Sequence, residues 1–222
     1  MIVAVDGPAG SGKSSVCRGA AQTAHARYLD TGAMYRAMTW AVLSAGIDPL
    51  DTAAVTACVD RVTLDSSTDP TNPTIWVDGV DVTAPIRSDQ VTAAVSAVSA
   101  LPQVRTQLVA KQRSIVSEAI RDGVDIIVEG RDIGSVVLPD ADVKIFLTAD
   151  PAERARRRAK ENHGSEIGVD HTKQALLERD HKDSNRAISP LTKADDAIEL
   201  DTTDLSLDEV IAEVLTAMGI RT

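Results

Sequence analysis

Gly7-Pro8-Ala9-Gly10-Ser11-Gly12-Lys13-Ser14 is the stretch on which the fold turns. An apolar run, Ile2-Val3-Ala4-Val5, precedes it, and a long helix-forming stretch follows. Strand, glycine loop and helix with the spacing G-x-x-x-x-G-K-S make a phosphate-binding P-loop. Gly7, Gly10 and Gly12 let the backbone curl so that successive N–H groups turn inward on a phosphate. A helix opening near Gly12 adds the positive end of its dipole. Lys13 reaches β- and γ-phosphates, and the Ser14 hydroxyl can ligate Mg²⁺.

The rest of the chain narrows the class. It has 222 residues and a formal net charge of −10. A chain this long buries about 70% of its unfolded surface, so no disulfide or metal staple is required. Cys17 and Cys58 lie far apart and form no C-x-x-C pair, which fits two small hydrophobes in a reducing compartment. Met1-Ile2-Val3 leads straight into a strand, so no signal peptide is expected. No apolar run approaches the length of a membrane span. A soluble, cytoplasmic protein is the expectation. The acidic balance argues against general nucleic-acid binding, which needs a basic face. With one Phe, two Tyr and two Trp, a base-stacking surface is not expected either. Small anionic substrates are still allowed, since a local arginine cluster can hold them inside an acidic shell.

Ser14 to Ala26 reads as helix and Arg27-Tyr28-Leu29 as a short strand. Asp30 or Thr31 caps a helix running from about Ala33 to Ala45, and Gly46 suits its end. Asp51 to Val62 is a second helix. From Thr63 to Arg87 the texture changes: Pro70, Pro73 and Pro85 appear, and Thr74 to Val82 alternates around Asp78-Gly79, a hairpin signal. This reads as a small antiparallel β insertion standing out from the core. Ser88 to Ala100 is helical, and Pro102 separates it from a helix reaching about Arg121.

Strands are expected at Val124–Val128, Val143–Leu147 and Ala197–Leu200. Pro151 opens a helix carrying Arg154, Arg156, Arg157, Arg158 and Lys160; Gly164 and Gly168 mark a flexible break, and His171 to about Asn185 is helical again. Ser206-Leu207-Asp208-Glu209 is a capping box opening a last helix to Met218. Five short strands alternating with helices predict an α/β fold with a parallel sheet covered on both faces. Ligands in such folds bind beyond the carboxyl ends of the strands. That rim carries Asp6–Ser14, Asp30–Thr31, Glu129–Asp132 and the residues after Leu147.

Gly7–Ser14, Leu29-Asp30-Thr31-Gly32-Ala33-Met34-Tyr35-Arg36, Glu129-Gly130-Arg131-Asp132 and Ser184-Asn185-Arg186-Ala187-Ile188-Ser189-Pro190-Leu191 together resemble the bacterial cytidylate (CMP) kinase family, as does the β insertion. The resemblance spans about Ile2 to Leu215. It implies a P-loop kinase unit over 1–222, with a core at 1–30, 125–150 and 187–222. A monophosphate-binding part would occupy 31–124, with its insertion at 63–87, and a short lid 151–170. It implies transfer of a phosphoryl group from ATP, with Mg²⁺, to CMP and dCMP by a monomer in pyrimidine metabolism.

Residue by residue, the resemblance puts Gly7, Pro8, Ala9, Gly10, Ser11, Gly12, Lys13, Ser14 and Ser15 on ATP and makes Ser14 the metal ligand. Arg36, Arg131 and Arg186 match the clamp on the acceptor phosphate, where clustered positive charge offsets the repulsion between two phosphates. Arg131 joins Lys13 and Arg157 in stabilising the transferred group. Arg154–Arg158 matches the start of the lid, with Arg157 and Arg158 the best matches and Arg157 an ATP-phosphate contact; a charge run alone would read equally as a solvated helix face. Arg179 and Asp183, four apart, match a pair on the sugar hydroxyls, although the spacing also suits a surface ion pair. Ser96, Arg105 and Asp132 match the cytosine-reading set, and Thr31 lies on the acceptor side. Thr31 stands where a serine is common and Glu129 where an aspartate is common; Glu129 is a methylene longer, with an indirect role near Mg²⁺. Tyr35 is expected to pack.

No base is required, because the accepting phosphate oxygen is largely ionised near neutral pH. His25, His163, His171 and His181 form no metal-binding pattern. A kinase of another small acceptor, such as UMP or a metabolite alcohol, is the alternative; an alcohol would want a base on the rim. A nucleotide switch is disfavoured, since neither Asn-Lys-x-Asp nor Leu-Ser-Gly-Gly-Gln occurs.

Overall fold

The computed structural model describes residues 1–161, 169–185 and 190–220. Its first half runs β1 (Ile2–Asp6), α1 (Lys13–Thr23), β2 (Arg27–Asp30), α2 (Thr31–Ser44), α3 (Thr52–Val59), β3 (Leu64–Ser66), β4 (Ile75–Val77), β5 (Val80–Asp81) and α4 (Asp89–Ser99). Its second half runs α5 (Pro102–Arg121), β6 (Ile126–Glu129), β7 (Val143–Thr148), α6 (Pro151–Glu161), α7 (Val169–Ser184), β8 (Ile198–Asp201) and α8 (Leu207–Ala217). The expected five-stranded parallel sheet forms in the order β2-β6-β1-β7-β8. β1 takes the centre because its Val3, Ala4 and Val5 are apolar toward both faces.

Alternation along the strands feeds two cores. Val3, Val5, Tyr28 and Ile127 pack with α1 and α8 through Val16, Ala20, Val210 and Val214. Ala4, Leu29 and Val128 pack on the other face with Met34 and Met38 of α2 and Leu108 and Val116 of α5. Local chemistry sets the helix starts. Asp30 accepts from the amide of Ala33 at 2.8 Å, Pro102 sits in the first turn of α5, and Ser206 with Glu209 forms the capping box of α8. Cys17 and Cys58 are both free thiols. No described helix is long and apolar enough to cross a membrane.

The insertion is a three-stranded antiparallel sheet, β3-β4-β5. Asp78 and Gly79 close its hairpin with φ of 50° and 79°, the positive pair a two-residue turn requires. The expectation that it stands out from the core is corrected. Leu64, Ile75, Val77 and Val82 are buried in the same core as α2. Thr68 O also accepts from Tyr28 N at 2.9 Å, which covers the free edge of β2. The physical reason is the hairpin's apolar inner face, which must be buried against something, and α2 is its neighbour.

One element was not foreseen. Residues 133–137 form a wide turn with five-residue hydrogen bonds, Val137 N to Asp132 O and Leu138 N to Ile133 O. Such turns recur at functional sites. The glycine-marked break at Gly164 and Gly168 lies outside the described residues.

Candidate active site

At the end of β1 the chain turns through residues 7–12 into α1. Gly7 has a φ of +150°, and a Cβ there would come within 2.2 Å of Leu147 O, so no side chain fits. Gly12, at φ 87°, is the N-cap of α1. Lys13 curls back on this loop: its Nζ donates to the carbonyls of Gly7 and Pro8, both at 2.8 Å. Burial and the neighbouring Arg131 cation push the Lys13 ammonium below its usual range, opposed by Glu129. Burial, then Asp30, pushes the Glu129 carboxyl up, opposed by Lys13 and by hydrogen bonds from Ser14 and Tyr28. An anionic phosphate beside Lys13 would favour its charged form.

The facing rim is the turn after β6. Gly130 N donates to Val5 O at 3.0 Å, and a Cβ on Gly130 would collide with Ile133 and with Thr31 Oγ1. The Asp6 carboxylate accepts from Ile133 N and Gly134 N, both at 2.8 Å. Burial raises Asp6 to about 6 against the pull of those two amides. Between these anchors stand Arg131 and Asp132. Arg131 donates to Gly7 O and, through Nε, to Asp183 Oδ2 at 3.1 Å, so it bridges the P-loop and α7. Asp132 forms a buried ion pair with Arg105, whose guanidinium lies 5.5 Å over the Tyr35 ring.

The remaining acceptor-side residues come from helices. The Thr31 hydroxyl donates to Glu129 O at 2.7 Å. Arg36 is buried and donates to Ile86 O at 3.1 Å and Thr92 Oγ1 at 3.0 Å. One cleft gathers Ala9, Gly10, Lys13, Ser14, Thr31, Arg36, Ser96, Arg105, Arg131, Asp132 and Asp183, with Tyr35, Arg158 and Glu129 also on its wall. Gly7, Pro8, Ser11 and Gly12 belong to the loop without lining this cleft, and Ser15, in α1, lines a neighbouring hollow with Ser14 and Arg18. Arg186 lies outside the described residues, and so does the side chain of Arg179 on α7.

The basic run of α6 splits into separate fates. Arg157 does not line this cleft. Its Nε donates to Glu153 Oε1 at 2.9 Å, and its Nη atoms donate to Thr202 Oγ1 at 2.8 Å and Thr202 O at 2.6 Å. A Cβ on Gly12 would lie 3.8 Å from it, so it flanks the P-loop from the side of β8. Arg154 is buried, pairing with Asp180 and donating to Ala9 O at 3.1 Å, while Asp180 Oδ1 accepts from Ala9 N at 3.0 Å. Arg156 is exposed on Glu153.

Sequence alone assigns no role to four residues at the site: Asp6, placed only on the rim, and Tyr28, Asp180 and Thr202. Asp6 had a usable signal, a carboxylate ending an otherwise apolar strand directly before the glycine loop. The other three act through contacts from segments far away in the chain. Among the described residues no three His, Cys, Asp or Glu side chains cluster as a metal site. One acidic oxygen nevertheless stands ready: Ser14 Oγ donates to Glu129 Oε1 at 2.7 Å, and the buried Glu129 Oε2 has no hydrogen-bond partner among the described residues.

The profile described as cytidylate kinase matches residues 3–219. A cytidylate kinase of Streptomyces avermitilis is 55% identical over 216 residues, covering 97% of this chain and 91% of that protein. A cytidylate kinase of Mycobacterium leprae is 52% identical over 217 residues, covering 97% and 94%. A solved sugar kinase from Janibacter sp. HTCC2649 superimposes with a TM-score of 0.52 at 15% identity, covering 99% of this chain and 94% of that one, a likeness of fold alone.

Proposed function

Since the chain belongs to the cytidylate kinase family, we propose that the cleft transfers the terminal phosphoryl group of ATP to CMP, and to dCMP as well, giving ADP and CDP or dCDP in pyrimidine nucleotide metabolism. The observation that supports this best is the meeting, in one cleft, of the Lys13 loop, the cations Arg36 and Arg131, and the buried Arg105–Asp132 pair. Residues 7–15 hold the ATP phosphates with inward N–H groups, and Lys13 exchanges the Gly7 and Pro8 carbonyls for phosphate oxygens. Arg36, Arg131 and Arg186 hold the acceptor phosphate. Arg131 already donates to Gly7 O, so its guanidinium reaches the boundary between donor and acceptor, where charge develops during transfer. Arg157 serves the donor side.

Asp132, Arg105 and Ser96 read cytosine. The base offers an amino donor to Asp132 and Ser96, and N3 and O2 to the Arg105 guanidinium. Uracil reverses two of these groups and leaves buried partners unpaired. Arg179 and Asp183 address the sugar, and Thr31 the acceptor side. The acceptor oxygen needs no base, so catalysis is positioning and charge neutralisation.

The Ser14 hydroxyl and, less directly, the Glu129 carboxylate would hold Mg²⁺, and the partnerless buried Oε2 fits that use. Held there, Mg²⁺ would supply positive charge against that of the phosphates. Residues 151–170 act as a lid that excludes water, a competing acceptor, over a core of 1–30, 125–150 and 187–222. Residues 31–124 carry the acceptor. The enzyme works as a cytoplasmic monomer.

One assay tests the reading: coupled ADP release with CMP, dCMP, UMP, AMP and GMP. CMP and dCMP should lead UMP by roughly a hundredfold or more in kcat/KM. Equal turnover of UMP would remove Ser96, Arg105 and Asp132 as base readers, and turnover of none of the five would overturn the acceptor class.

A further inference from the structure

Tyr28 is 1% exposed, with its ring packed in the core among strands and α1. In the β2–β6 ladder it pairs with Ile127, so Glu129 is its diagonal neighbour on the same face. Its hydroxyl donates to Glu129 Oε1 at 2.9 Å. The same oxygen accepts from Ser14 Oγ at 2.7 Å. Two donors therefore converge on one oxygen, while the buried Oε2 has no hydrogen-bond partner among the described residues.

That asymmetry has a physical consequence. A glutamate carries three side-chain torsions, and its last one is broad, so an unrestrained carboxylate would present either oxygen. Ser14 belongs to the P-loop and responds to whatever the loop binds. Tyr28 belongs to a sheet strand, and its ring is fixed by packing, so its hydroxyl is a donor in a constant place. Burial also makes a second donor valuable, because an undersolvated carboxylate is costly.

We infer that Tyr28 is a positioning residue for the metal side of the site: by holding Glu129 Oε1 it leaves Oε2 as the acceptor for a water of the divalent ion. This rests on the reading of Ser14 and Glu129 as that side of the cleft. Tyr28 touches neither nucleotide nor metal; it acts through Glu129. It supplies the fixed donor that the longer glutamate needs to be held in one orientation.

The test uses the full chain with the non-transferable donor β,γ-methylene ATP and Mn²⁺ as the probe ion. Mn²⁺ affinity for the enzyme–nucleotide complex is read by electron paramagnetic resonance, and metal-free nucleotide affinity by calorimetry. Tyr28→Phe fits the same space and should weaken Mn²⁺ about tenfold, the loss of one hydrogen bond to a charged group. Metal-free nucleotide affinity should stay within about twofold, which also shows that the variant is folded. Glu129→Gln should weaken Mn²⁺ at least as much, and Tyr28→Phe added to it should cost nothing further, since both act through one carboxylate. If Tyr28→Phe keeps full Mn²⁺ affinity while Glu129→Gln loses it, Tyr28 only packs and the inference is overturned. Equal losses with and without metal would overturn it too. If Glu129→Gln itself keeps full affinity, the metal reading of Glu129 fails, and the inference falls with it.

Discussion

On the proposed reading, residues 7–15 carry the donor half of the cleft within one consecutive stretch, whereas the acceptor half draws Thr31, Arg36, Ser96, Arg105 and Asp132 from three helices and the turn after β6. The two halves bind with different groups. The proposed donor half would work mainly through backbone N–H groups, whose directions depend on the φ of Gly7, Gly10 and Gly12. The acceptor half works through long side chains, each steered by a partner elsewhere: Arg36 by Ile86 O and Thr92, Arg105 by Asp132 and Tyr35. A local loop keeps its geometry wherever the strand–helix junction survives. A side-chain wall keeps its geometry only while every supporting segment stays in register. Damage to the first half should therefore cost rate without structure, and damage to the second should couple specificity to stability.

The largest expected effect breaks the donor half. Lys13→Ala should lower kcat a hundredfold or more, with the fold kept, because the ammonium's hydrogen bonds among the described residues are to its own loop. Steady-state kinetics beside a melting curve checks both parts, and a folded variant of near-normal activity would remove the P-loop assignment.

Arg131 stands at the boundary between the halves and should show it. Arg131→Ala should lower kcat by roughly tens of fold and weaken CMP as well, since a guanidinium there acts more strongly as charge builds. A change confined to KM would instead mark a group that binds ground state and transition state alike.

In the acceptor half, Asp132→Ala should reduce the CMP-over-UMP preference by about tenfold while leaving ATP affinity near wild type. The same change should lower the melting temperature, because it strands the buried Arg105 charge. Replacing both partners by apolar residues sharpens the point: stability should return, and base discrimination should not. If the double replacement restored discrimination, the pair would be structural only.

The smallest effect is read in stability alone. Burial raises Asp6 from 3.8 to about 6, so over that interval the folded chain binds a proton that the unfolded chain has released. Its contribution is fully present below about pH 3.8 and is lost as pH rises through about 6. Wild type should therefore gain on Asp6→Asn as pH falls from 6 to 4, by of order 1 kcal/mol. Urea midpoints at a series of pH values measure this, and a difference that grows in the opposite direction would contradict the raised carboxyl.

The same contrast explains which features could be read before the structure. The glycine loop, the Asp78–Gly79 turn, the Pro102 helix start and the Ser206–Glu209 capping box each depend on residues within one short stretch of chain. Alternating apolar strands and helices likewise announce a parallel α/β sheet. The resemblance of Leu29–Arg36 and Glu129–Asp132 to a kinase family pointed to Thr31, Arg36, Arg131 and Asp132, but not to what holds them. Arg154, Arg156, Arg157 and Arg158 look alike in sequence, yet one is buried on Asp180, one is exposed, one is fixed to Thr202 and one faces the cleft.

Local rules do not reach across the chain. The order β2-β6-β1-β7-β8 brings Asp6 beside Ile133 and Tyr28 beside Glu129, pairs separated by 127 and 101 positions. Packing, too, put the insertion on α2 instead of away from it. Residue type and short spacing determine how a backbone turns, because those energies are paid between near neighbours. Which buried side chains meet depends on strand order and on how two apolar faces exclude water, and these exist only once the whole sheet has formed.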